Sequence, residues 1–325
     1  KRVEGTYERE SLPPLRKSTE EIAAIFCSDM HIWGKSPIAR SRESDWFSVM
    51  DRSFSQLRVL ANTHQCPVIM AGDLFDRWNP NPETINFALS KLPVLHAIPG
   101  QHDLPAHNWS DVRKSAFWTL VEAGKIVLLE PNKPVEVKGR FPIRLWGFPF
   151  GIPVKPLHDP HDLLIEIAVI HIYVWTKNTG HFGADEGNRL KRITKQLQGY
   201  DVVVIGDNHT PFSCRLEDGP RIWNCGTFFR RKMDERKIKP AVGLLRGDGT
   251  IERQYMDVSE DVFLDEKDEA FLKLTDGEMN SFMTELTRLA DAAIDFREAV
   301  HVMLRSSNVS DEVKKIVLAS LEKTP

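Results

Sequence analysis

The chain has 325 residues, of which 41% are hydrophobic and 27% charged, with a formal net charge of −3. Those proportions suit a folded chain with one large α/β domain and a smaller appendage, and they exclude a uniformly basic nucleic-acid binder while leaving room for a local basic surface. No run approaches the roughly 18 apolar residues of a membrane span, and the polar start has no apolar signal core, so the expectation is a cytosolic protein without membrane attachment. Cys27, Cys66, Cys214 and Cys225 lack C-x-x-C spacing and read as reduced core thiols.

Residues 1–21 form a polar extension. From Ile22 the chain alternates continuous apolar runs with helical patterns. The runs at 22–27, 67–71, 94–98, 126–129, 165–170 and 202–205 predict strands buried on both faces, and the patterns at 43–62, 83–91, 113–123 and 186–198 predict helices. This order points to a layered α/β fold, in which ligand sites lie in loops beyond the strand ends. Past Gly206, short strands at 212–216, 221–224, 242–245 and 251–255 predict a second sheet and a β-rich capping segment within a core over 22–262. From 263 to 325 a helical region follows, where Phe282, Leu286, Leu289, Ala293, Phe296, Val300 and Met303 recur at spacings of four and three.

Five of the predicted strands end in potential metal ligands: Asp29 and His31; Asp73 and Asp76; Gln101, His102 and Asp103; His171; Asp207 and His209. Each group taken singly reads as loop capping or a turn. Together they fall where strand order brings them to one sheet edge, and mixed imidazole and carboxylate donors suit Mn²⁺, Fe, Zn²⁺ or Ni²⁺. Two cations about 3.5–4 Å apart hold a bridging hydroxide and clamp both oxygens of an in-line displacement at phosphorus, so no protein nucleophile is needed. There is no Gly-x-Ser-x-Gly elbow and no Walker sequence, which weakens acyl-transfer and nucleoside-triphosphatase readings.

Asp29-Met30-His31, Gly72-Asp73-Leu74-Phe75-Asp76, Gly100-Gln101-His102-Asp103, His171 and Gly206-Asp207-Asn208-His209 resemble, in order, the five motifs of the calcineurin-like metallophosphoesterases. The resemblance implies a four-layer fold of two β-sheets flanked by helices. It also implies that Asp29, His31 and His209 hold one metal, that Asp73 bridges, and that Gln101, His171 and Asp207 hold a second. His102 and Asp103 then form the catalytic group, with His102 as acid or charge stabiliser, while Asp76 and Asp103 fix neighbouring side chains. Gln101 stands where the family has Asn and Asp207 where it has His, so the second site is expected to favour Mn²⁺, or Mg²⁺, over softer-ligand metals.

The Gly-Asp-Leu-Phe-Asp stretch with Arg77, Trp78 and Pro80, and the Asn224–Thr227 turn, resemble the SbcD-type DNA nuclease branch, including variants carried by phages and their bacterial hosts. That resemblance implies DNA as substrate, helices at 263–325 that grip an SbcC-type coiled-coil ATPase, and a homodimer. The same helical stripe also reads as simple intramolecular packing. Arg230, Arg231 and Lys232 open a basic segment suited to phosphate backbones, and Phe228 and Phe229 before it read either as base-stacking platforms or as core residues. His107 and His181 are further candidates for substrate contact, and Trp33 and Trp78 for the cleft wall. His158 and His161 read as a Pro-containing loop, and His64, His96 and His301 as structural. Rival readings are a small-molecule phosphodiesterase, a protein phosphatase, or a scaffold weakened at its second metal.

Overall fold

The computed structural model describes residues 21–138, 141–177, 179–180, 184–265, 304, 310 and 314–315. The extension at 1–20, His181 and the stripe at 282–303 with His301 lie outside the described residues. Residues 1–263 form one compact unit and 264–325 a second.

In chain order the first unit contains β1 (Ile22–Cys27), α1 (Trp46–His64), β2 (Val68–Ala71), α2 (Pro82–Lys91), β3 (Leu95–Ile98), α3 (Ala116–Glu122) and β4 (Ile126–Leu128). It continues through β5 (Val135–Val137), β6 (Ile143–Phe148), β7 (Ile165–His171), α4 (Leu190–Ile193), β8 (Val202–Gly206), β9 (Phe212–Arg215), β10 (Arg221–Asn224), β11 (Ala241–Arg246) and β12 (Ile251–Tyr255). Two mixed six-stranded sheets result, ordered β12-β11-β1-β2-β3-β4 and β5-β6-β7-β8-β10-β9. The runs β1–β2–β3–β4 and β6–β7–β8–β10 are parallel; antiparallel strands flank the second sheet on both edges and the first at the β11–β12 edge, while parallel β4 forms its other edge.

Period-two alternation along the strands sorts the apolar residues into three cores. Ala24 and Phe26 of β1 join Ile69, Ile98, Ile167, Val169, Val202 and Val204 between the sheets. Ile25 and Cys27 face the other way, onto Phe54, Leu57 and the α1–α3 side. Ala168, Ile170, Val203 and Ile205 pack outward against Leu190, Leu197 and Tyr200. Helix α1 starts where Asp45 accepts from Phe47 N, and α2 where Asn81 accepts from Thr84 N with Pro82 at its first turn.

The structure departs from the sequence reading at several places. Strands β9 and β10 extend one sheet, whereas β11 and β12 join β1 in the other, so the segment read as a cap is built into both sheets. The predicted helix at 186–198 contracts to α4, because Arg192 N, Gln196 N and Leu197 N bond to residues three positions back and the chain proceeds as successive tight turns. Cys214 is exposed on the edge strand β9, while Cys27 and Cys225 are buried and Cys66 half-buried. Of the two readings left open for Phe228 and Phe229, the core one holds: both are buried against Phe54, at ring-centroid distances of 5.9 and 5.3 Å, with no face for a base. Among the described residues no helix is long and apolar enough to cross a membrane.

Candidate metal centre

The ends of β1, β2, β7 and β8, with the turn after β3, converge at the junction of the two sheets. Asp29, His31, Asp73 and Asp207 all have positive φ, at 53°, 44°, 54° and 80°. Left-handed backbone is uncommon outside glycine, costs energy, and tends to persist where surrounding structure fixes a functional geometry. Here it turns each side chain back over the strand end. Two glycines make room: a Cβ on Gly100 would lie 2.1 Å from Asp73 Oδ1, and one on Gly72 would lie 2.2 Å from His171 Nδ1.

Asp73 Oδ2 lies 3.6 Å from His31 Nε2 and 3.5 Å from His171 Nε2, placing this carboxylate between two donor groups. Three sets of donor atoms lie close enough to share a cation: Asp29, His31 and His209; Asp29, Asp73 and His171; and, toward the cleft, His31, Asp76 and His102. Gln101 Nε2 donates to Asp207 Oδ1 at 2.8 Å, so both departures from the family pattern stand side by side. Ser28 Oγ donates to Asp29 Oδ2 at 2.6 Å, and Asp207 N donates to the same carboxylate.

The donor set fits divalent cations by a test internal to the chain. Asp73 Oδ2, His171 Nε2 and Gln101 Oε1 are buried without hydrogen-bond partners. His171 Nδ1 donates to Ala71 O at 2.6 Å, which turns the Nε2 lone pair toward the Asp73 carboxylate. His209 Nδ1 is tied to Glu235 Oε1 at 3.0 Å, and its Nε2 faces His31 Nε2 at 3.2 Å. Ring nitrogens and carboxylate oxygens turned toward one another in this way form a set that a cation, or in its place a shared proton, satisfies.

The proton affinities carry the same signature. Burial opposes ionisation of Asp73, yet His171 and His31 overcome it and hold this carboxyl well below its usual range. Burial also works against the His171 cation, but the charge of the Asp73 carboxylate 3.5 Å away pushes its pKa up to about 10. Burial raises Asp29 to about 6, against the pull of His209 and His171. His31 is driven well below its ordinary value by burial and then by Arg231. In the metal-free chain Asp29 and His171 thus hold protons more tightly than usual, and Asp73 and His31 less tightly.

His102 stands at the mouth of the cluster, where its backbone N–H donates to Asp73 Oδ1 at 3.0 Å. Its Nδ1 bonds to Asp76 O at 2.8 Å, leaving Nε2 as the ring nitrogen available to the cleft. Asp76 sits 3.6 Å from His31 Nδ1 and accepts from Arg231 Nη1 at 2.5 Å. The cleft encloses about 630 Å³, and its wall includes His31, Asp73, Gln101, His102, Asp207, His209, Arg231 and Lys232.

A family model described as calcineurin-like phosphoesterase matches residues 23–211, which span every one of these ligands. The chain belongs to that family. This phosphoesterase is therefore a metal-dependent hydrolase of phosphoester bonds. No curated protein matches it. Among solved structures it is similar to TT1561 of Thermus thermophilus, at 12% identity and a TM-score of 0.42, over 73% of this chain and 100% of that one. A second crystal structure is similar at 11% identity and a TM-score of 0.42, over 72% of this chain and 98% of that one. Neither likeness bears on substrate.

The remaining candidate residues of the phosphoesterase take different places. Asp103, grouped with His102 as catalytic, is wholly buried, and its carboxylate accepts from Leu74 N, Phe75 N and Gly100 N. It fixes the loop that carries Asp73, and burial together with the Asp73 charge raises its pKa to about 7. Arg230 is absent from the cleft wall, because its guanidinium donates to Asp261 Oδ2, Val258 O and Arg236 O. Arg231 reaches the cleft but is paired with Asp76, leaving Lys232 beside it. His107 lies in an adjoining groove, and Trp78 lines that groove, whereas Trp33 packs under Arg77.

Sequence reasoning missed Glu235. It is 3% exposed, accepts from His209 Nδ1 with one oxygen, and receives Arg231 N and Lys232 N at 2.6 and 3.0 Å on the other. Burial opposes its charge, but the hydrogen bond from His209 prevails and its pKa falls below the ordinary value. The only available signal was an acid pair, Asp234 and Glu235, inside a basic run.

Proposed function

We propose that this phosphoesterase is a two-metal phosphodiesterase that cuts the DNA backbone, with His102 donating the proton to the leaving oxygen. The observation that carries this reading is His102 itself: its Nδ1 is fixed on Asp76 O and its Nε2 opens to a cleft that ends in the convergent ligand cluster. Asp29, His31 and His209 would hold one cation, Gln101, His171 and Asp207 a second, with Asp73 between them. Bound there, the cations supply charge to the phosphoryl oxygens and acidity to a water. Lys232 and Arg231 on the cleft wall add positive charge for a phosphodiester anion, and His102 neutralises the charge that builds on the leaving oxygen.

Gln101 and Asp207 give the second site two oxygen donors where the family pattern has Asn and His, which favours Mn²⁺ or Mg²⁺. Asp207→His is expected to move the metal preference toward Zn²⁺, read by competitive binding of the two ions; an unchanged preference would refute this assignment. The C-terminal region at 263–325 as the grip for a coiled-coil ATPase, and homodimerisation, rest on the resemblance to SbcD-type nucleases. Co-purification with and without residues 266–325 tests the first.

A small-molecule phosphodiester is the second reading. It is favoured by the pairing of Arg230 and Arg231 within the chain, which lowers the positive charge free to follow a long polyanion. Mn²⁺-dependent cleavage of end-labelled single- and double-stranded DNA, beside a chromogenic phosphodiester and a His102→Ala control, decides between them. Cleavage of the small ester alone would overturn the DNA reading.

A further inference from the structure

A second groove, of about 270 Å³, opens from the first at Asp76, Gln101 and His102 and runs outward between two loops. Its far walls are Arg77, Trp78, Asn79, Ala106 and His107. Trp78 is 37% exposed, a large aromatic face left open to solvent beside a charged site. The Arg77 guanidinium is steadied over the Trp33 ring at 5.4 Å, and among the described residues no carboxylate pairs with it. On the opposite wall Ala106 and His107 both have positive φ, at 48° and 56°, and the His107 ring rests edge-on against Phe150. An aromatic plate, a cation without a carboxylate among the described residues, and an imidazole thus flank one opening.

We infer that this groove is the leaving-group subsite and that it takes a nucleoside, with Trp78 stacking the base and Arg77 and His107 meeting the phosphate beyond it. This inference rests on the phosphodiesterase reading above and names the substrate class for that site. The direction follows from geometry. In an in-line displacement the entering and leaving oxygens lie on opposite sides of phosphorus. Water adds its oxygen to phosphorus, the bond from phosphorus to the ester oxygen breaks with its electron pair, and that oxygen takes the proton from His102 Nε2; the proton released by the water restores His102 through solvent. The departing alcohol therefore lies on the His102 side, and the groove that begins at His102 is where it goes. Every base has a face to stack, so Trp78 grips without reading sequence.

The test uses the full chain with Mn²⁺ and four proteins: wild type, Trp78→Ala, Trp78→Phe, and Leu163→Ala as an exposed control outside both grooves. Each is assayed on a thymidine dinucleotide and on bis(4-nitrophenyl) phosphate, and for inhibition by free thymidine and by inorganic phosphate. Trp78→Ala is expected to lower kcat/KM on the dinucleotide by roughly 5- to 150-fold, mainly through KM, and to abolish thymidine inhibition, with partial recovery in Trp78→Phe. Phosphate inhibition should weaken far less, because phosphate occupies only the metal end. Dinucleotide cleavage and thymidine inhibition that are unaffected in Trp78→Ala would overturn the subsite while leaving the nuclease reading intact. Equal weakening toward phosphate and dinucleotide would also overturn it, as general damage to the site. A wild type that hydrolyses the nitrophenyl ester but neither cleaves the dinucleotide nor binds thymidine would overturn both.

Discussion

Replacing Glu235 with alanine removes an anion that the fold has taken out of water and aimed at a single nitrogen of His209. Two consequences follow from the contacts. His209 loses the acceptor that fixes its tautomer and ring angle, and such outer partners of metal-binding histidines typically contribute 10- to 100-fold in metal affinity, or about 1.4–2.8 kcal/mol. The backbone N–H groups of Arg231 and Lys232 lose their acceptor as well, at a cost to folding stability of about 1–3 kcal/mol. Glu235→Gln does not rescue both, because one of its terminal atoms is an NH₂ that must oppose either the His209 N–H or the two backbone N–H groups. Calorimetric titration of Mn²⁺ into chelator-stripped protein, with circular dichroism as the check on folding, measures the effect directly. A folded Glu235→Ala protein that binds Mn²⁺ as tightly as wild type would refute the reasoning.

Three further outcomes are expected. His102→Ala should lower kcat by roughly 10²–10⁴ while keeping the Mn²⁺ stoichiometry, and a loss below tenfold would remove His102 as the acid. Gly100→Ala should cost the metal site outright, since its Cβ would meet Asp73 Oδ1 and His171 Nε2 at 2.1 and 2.6 Å; unaltered Mn²⁺ binding would show that the loop yields. In chelator-stripped protein, Asp29, Asp103 and His171 have folded pKa values of about 6, 7 and 10, all above their ordinary values, so the folded state binds more protons and stability falls as pH rises from about 4 to 10. Asp73 and His31 have the opposite sign: the Asp73 contribution is lost only below its ordinary 3.8, and the His31 contribution is complete above its ordinary 6.5, so above pH 7 the decline through His171 is unopposed by either. Thermal melts at pH 7, 8 and 9 should therefore show a declining Tm that Mn²⁺ flattens, and a Tm that rises over this range would contradict the assignment.

Strands buried on both faces were the most legible part of the sequence, because β1, β2 and β8 need no polar alternation and read as plain apolar runs, and β7 does so from Ile167 to Ile170, past the buried Glu166. The ligands at their ends were legible for the same reason. Strand β6 was not, since Arg144 and Gly147 interrupt its run and only Ile143 and Leu145 point between the sheets. The sheet to which β11 belongs is decided by pairing with β1, more than 200 residues earlier, which no local pattern encodes. Phe228 and Phe229 left two readings open because the basic residues after them are visible in sequence, while the Phe54 pocket that receives them and decides for the core is not. Glu235 was hidden likewise: its meaning lies in the distance to His209, not in its neighbours.

The positive-φ carboxylates bear on how inactive forms of this enzyme should be made. Asp29, Asp73 and Asp207 occupy backbone that asparagine also tolerates, whereas an alanine there incurs a left-handed penalty of about 1–2 kcal/mol in addition to losing its ligand. Alanine scanning at these three positions would mix lost chemistry with lost fold. Asparagine separates them, leaving the loop in place for crystallography with an uncut substrate.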